Sequence, residues 1–254
     1  MPHDHQVKLD RAQTHMDALK EAMQGLLEGQ TYEAVIDYHV QTGENVVRLG
    51  AIPHPPPEIS AIVGDVLFNL RSSLDHCVYA LSVRPGKCKE DRIAFPIVRT
   101  EKRFLEVAPD QIGDIPPEAQ AEIERLQPYH GRHPDKHPLF LLHELNRIDK
   151  HRILNTVLSI THRADALWQA GAESGIVEVR AATAPPEGFV AGAEIGRVRF
   201  ADSRQCTEMD VKFVLARDIW FGPGPAHRAS VFWLLGHIVK AVREAVVVLE
   251  PFLV

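Results

Sequence analysis

The chain has 254 residues, 45% of them hydrophobic, 24% charged and 7% aromatic, and 34 acidic against 28 basic side chains leave a formal net charge of -6. That balance is enough for a real core and excludes a wholly disordered, collagen-like or coiled-coil chain. The negative charge argues against broad nucleic-acid binding through a basic face, but leaves room for a small RNA site lined by a few cations.

Residues 7–28 carry Val7, Leu9, Met16, Leu19, Met23, Leu26 and Leu27 at three- and four-residue steps, with Gly29 behind them, and this predicts a helix. Two segments rich in β-branched and aromatic residues, 31–40 and 44–52, flank Gln41, Thr42 and Gly43 and predict a β-hairpin. The prolines from Pro53 to Pro57 end it, and Pro57 suits the first turn of the next helix. Residues 58–83 hold Ile59, Ile62, Val63, Val66, Leu67, Leu70, Leu74, Cys77, Val78 and Leu81, a helical stripe sustained over about seven turns. Residues 92–98 read as a short strand or an extended stretch around Pro96, and 118–126 as a short helix.

A second long helix is expected over 138–160, where Leu139, Leu142, Leu145, Ile148, Leu154 and Leu158 reach nearly every direction of the projection. The pattern then changes to strands at 166–169, 175–182, 194–200 and 208–215, separated by Gly and Pro clusters, before a last helix over 225–250. The expected architecture is a single α+β domain. Four long helices form a bundle, and the hairpin joins the later strands in an antiparallel sheet inserted into it. No apolar run approaches the roughly 20 residues that cross a bilayer, and the N-terminus has no apolar signal core. Cys77, Cys88 and Cys206 form no C-x-x-C pair. A cytoplasmic protein without membrane attachment is expected.

Polar residues interrupt two of the apolar helices. In the first, Asn69, Arg71, Asp75 and His76 lie beside the core stripe, and Arg71 and Asp75 are four apart, the spacing of an ion pair. In the second, His143, Asn146, Asp149, His151 and Arg152 sit in a helix expected to be buried all round. Charges placed there cost several kcal/mol each unless partnered, so the two patches should meet, either as a structural network or as a site. Fourteen histidines, with His130, His133 and His137 close together, raise a metal reading that would draw on Asp75, His76, His143, Asp149 and His151. The Glu-x-x-His repeat of di-iron bundles is absent, as are the glycine-rich phosphate loops and the H-E-x-x-H and G-x-S-x-G motifs.

The run from Arg71 to His76 resembles the signature of HEPN domains, helical-bundle ribonucleases in which four to six residues stand between an arginine and a following histidine. The residue after the arginine, usually Asn, Asp or His in that family, is Ser72 here. The chain also resembles a bacterial protein group, without an assigned activity, that pairs an NLRS-x-LDH helix with a later DKHR helix. This likeness covers about residues 60–155. The HEPN resemblance implies RNA as substrate, cleavage without metal or other cofactor, and a homodimer that brings two motifs together. It implies Arg71 and His76 as catalytic residues, and Asn69, Asp75, Asn146, Asp149, His151 and Arg152 stand around them as supporting candidates. The alternative is a non-catalytic binding or scaffolding module whose polar network fixes helix register.

Overall fold

The computed structural model describes residues 4–28, 34–82, 90–160, 175–185, 188–202 and 217–253. These residues are mixed α+β, with six α-helices and two antiparallel sheets of four and two strands. They fall into two compact units, one of residues 1–23, 56–155 and 221–254 and the other of 24–55 and 156–220.

The first unit is helical. Helix α1 (Asp4–Glu28) buries His5, Leu9, Ala12, Met16, Leu19 and Met23, a repeat of three and four that makes one continuous stripe. Helix α2 (Pro57–Leu81) opens on a proline, whose missing N–H costs nothing in the first turn. Its buried face, from Ile59 to Leu81, packs against α5 (Pro138–Asp149) and α6 (Val231–Leu249), which also touch each other. Two short helices complete the unit. Helix α3 (Glu101–Gln111) is capped by the Thr100 side chain, which accepts from the Arg103 N–H, and α4 is Pro117–Arg125. The sequence pattern did not single out α3, because only Phe104 on it is buried and no apolar stripe marks it.

Two helix boundaries differ from expectation. The helix expected over 138–160 ends at Asp149, and Thr156–Ile160 is a strand, β3. The apolar residues of 138–160 belong to two elements, a helix of period 3.6 followed by a strand of period 2. The last helix starts at Val231, six residues later than expected, because residues 223–228 are occupied by a bend and a turn.

The second unit carries the sheets. Strands β1 (Ala34–His39) and β2 (Glu44–Leu49) form the expected hairpin, with Gly43 at φ 68°, a backbone conformation that glycine adopts without steric cost. Beyond it lie β5 (Glu194–Phe200) and β4 (Ile176–Ala181), in the order β1-β2-β5-β4 and all antiparallel. Early hairpin and later strands therefore share one sheet. One face packs Val47, Leu49, Ile195, Val198 and Phe200 with Ile160 and Phe189. The opposite face is ionic: Arg48 pairs with Asp37, Arg197 with Glu44 and Glu194, and Arg180 and Arg199 with Glu178. Strand β3 pairs with β6 (Arg217–Phe221) as the two-stranded sheet. The strands expected at 166–169 and 208–215 lie outside the described residues.

Candidate functional site

Helices α2 and α5 meet along the polar stretches of both, so the neighbours of each charge decide what it can do. Arg71 points to one end of the seam. Its Nη2 donates to Asp75 Oδ1 at 2.8 Å and to the Phe95 carbonyl at 2.7 Å, and the Phe95 N–H donates to the same Asp75 oxygen at 2.9 Å. The Arg71 side chain is 12% exposed and that of Asp75 32%. Phe95 lies within the extended stretch expected around Pro96, and that stretch pairs with no strand among the described residues. A buried backbone without a strand partner must bond elsewhere. Arg71 and Asp75 satisfy it from one side, and Gln127 from the other: its amide donates to the Pro96 carbonyl at 2.8 Å and accepts from the Val98 N–H at 3.1 Å. Three side chains, each 20 or more residues away along the chain, thus hold the segment.

His143 of α5 lies close enough to sense both Arg71 and Asp75. Burial pushes its imidazole below the ordinary histidine range, and the Arg71 guanidinium pushes it further. The ring is therefore neutral at physiological pH.

Farther along the seam, Asp149 of α5 rests against Gly64 of α2. A β-carbon at Gly64 would fall 2.5 Å from a carboxylate oxygen, so glycine makes room for the acid. Burial and then the charge of Asp65 push the Asp149 carboxyl upward. His15 Nδ1 is 3.8 Å from Asp65.

The expected residues distribute unevenly. Arg71, Asp75 and His143 come together at one end of the seam, and Asp149 reaches the other, beside Asp65 rather than Arg71. Asn69 is buried and spends one amide hydrogen on the Asp65 carbonyl of its own helix. Asn146 is buried at 5% exposure. His76 is half-buried on an unbroken α-helix, where five residues separate it from Arg71 by about 140° of rotation. His151 and Arg152 are exposed beyond the end of α5, which corrects the expectation that a buried helix carries them. Phe95, Gln127 and Gly64 carry no mark in the sequence, since nothing local signals a partner 20 or more residues away.

The histidine-rich loop is used for structure. His130 bonds the Glu124 carbonyl at 3.0 Å, and His137 Nδ1 accepts from the Leu139 N–H as the cap of α5. Among the described residues no three His, Cys, Asp or Glu side chains converge as metal ligands. Cys77 is buried in the apolar stripe, its thiol pushed up to about 12 by burial, which keeps it protonated and unreactive. No described helix is long and apolar enough to cross a membrane. No protein-family profile, curated protein or solved structure matches the chain.

Proposed function

We propose that the chain is a non-catalytic binding or scaffolding protein, in which Arg71 and Asp75 are structural fasteners. One observation carries this reading: the Arg71 guanidinium is nearly sealed and already donates to a carboxylate and to a main-chain carbonyl. An arginine that clamps a phosphate keeps its planar fork free for the ligand. Here the same Nη2 that bonds Asp75 also holds Phe95, so moving it to a substrate would undo the extended segment. The test is incubation of the full-length protein with labelled single-stranded RNA in the presence of a chelator. The expected result is no strand scission above the buffer control. Scission by the wild type that is lost in His76→Ala, with the melting temperature unchanged, overturns this reading.

A HEPN-like ribonuclease, free of metal, is the second reading. It is favoured by the buried Arg71 Nη1, which has no hydrogen-bond partner, and by the neutral His143 beside it. In-strand cleavage needs a base for the 2′-hydroxyl proton and a cation for the charge on the phosphorane. The 2′-oxygen then bonds phosphorus as the bond to the 5′-oxygen breaks. Because Arg71 and His76 diverge on one helix, a site using both takes one from each of two chains. This reading therefore also requires a homodimer, which sedimentation of the wild-type protein checks.

A further inference from the structure

The helical unit has a pocket of about 320 Å³ away from the α2–α5 polar groups discussed above, between the exit of α5 and the loop that precedes α6. Its walls include Leu145 and Ile148 from the last turns of α5, Leu154, and Phe221. Among the described residues Arg152 is the only charged side chain in the lining, and it forms no ion pair. Asn155 supplies a neutral amide at the rim.

Both walls are fastened before any ligand arrives. The Gly222 N–H donates to the Asn155 carbonyl at 2.8 Å, and the Asn155 side chain lies so near that a β-carbon on Gly222 would fall 2.5 Å from its Nδ2. The loop is closed on itself, with Phe221 N–H donating to the Ala229 carbonyl at 2.9 Å and Arg228 N–H to the Phe221 carbonyl at 3.0 Å. Arg228 takes φ 65°, a conformation that side chains other than glycine rarely adopt and that these bonds hold in place. A pocket that needs no ordering loses little entropy on binding.

We infer that this pocket binds a small monocarboxylate with a short apolar body, its carboxylate on Arg152. The inference is independent of both readings above. The guanidinium fork matches a carboxylate with two parallel hydrogen bonds. A phosphate dianion fits poorly. Among the described residues one cation faces the space, and the prolines at 223 and 225 lack the N–H groups of a phosphate cradle. The volume lies at the small end of ligand pockets, which excludes a nucleotide or a polymer.

Titration calorimetry of the full-length protein with hydrocinnamate, and with the neutral hydrocinnamyl alcohol of the same shape, tests it. Hydrocinnamate is expected to bind at about 1 mM or below, and the alcohol at least tenfold more weakly. Arg152→Met keeps the aliphatic stem of an exposed residue and should lose at least tenfold in hydrocinnamate affinity, leaving the alcohol and the melting temperature unchanged. Amide shifts on titration should centre on residues 152–155 and 221–226. Absence of binding up to about 10 mM, equal affinity for acid and alcohol, unaltered binding by Arg152→Met, or shifts centred elsewhere would each overturn the inference.

Discussion

Ion pairs occur in this protein in two settings that differ in how far the arginine is exposed, 35–62% on the sheet and 12% on the second helix. On the polar face of the four-stranded sheet, Arg48, Arg180, Arg197 and Arg199 alternate with Asp37, Glu44, Glu178 and Glu194, and the charges cancel. On α2, the single pair Arg71–Asp75 is joined to a buried backbone segment. The sheet has more pairs, but solvent and salt reach their arginines, and Glu44, the most covered carboxylate at 13%, faces both Arg180 and Arg197. The helical pair has no such recourse. Removing Arg71 strands the main-chain carbonyl of the fully buried Phe95 and takes one donor from Asp75. Exposure, rather than the number of bonds, decides what an ion pair is worth.

The largest effect should come from the helical pair. Arg71→Met is expected to cost about 3 kcal/mol, because one partner of a mostly buried pair is lost and the other remains. At this chain length that corresponds to a fall in melting temperature of roughly 6–12 °C, which calorimetry would read. A loss no greater than that of a sheet pair would break the comparison.

Next comes the contact between Gly64 and Asp149. Alanine at Gly64 forces the carboxylate aside, whereas in an Asp149→Ala background the same change only adds helix propensity. A double-mutant cycle should therefore show Gly64→Ala better tolerated by about 1 kcal/mol when Asp149 is absent. Additive effects would mean that the two residues do not compete for space.

A pH series sharpens the same region. Asp149 is pushed upward by burial and by Asp65, so the folded chain holds that proton more tightly than the unfolded chain. Stability then declines as pH rises from the ordinary aspartate range through the raised value. Asp149→Asn should melt above the wild type at neutral pH, with the difference vanishing in acid. His143 has the opposite sign. Its lowered value stabilises the fold above the ordinary histidine pKa of 6.5, and this contribution is lost as pH falls through the folded value. An Asp149→Asn protein that melts below the wild type at neutral pH would contradict the burial assigned to the acid.

The smallest effect belongs to the sheet. Arg199→Ala removes one arm of a shared pair with Glu178, which keeps Arg180. Its melting temperature should move least of the set, and the remaining difference should disappear in high salt.

The α1 and α2 helices, the β1–β2 hairpin, the β4 and β5 strands and the four-residue spacing of Arg71 and Asp75 are legible in the residue order alone. Each rests on the periodicity or turn chemistry of neighbouring residues. Tertiary structure alone decided where the helix after Pro138 stops, because an apolar run reads alike as buried helix or buried strand. It also decided what the polar residues face. Asp149 meets Gly64 and Asp65, Arg71 meets Phe95, and Arg152 leaves the helices for a pocket of its own. Electrostatic partners are set by distance in space, and in a folded chain most of the distances that matter join residues whose separation along the sequence carries no signal.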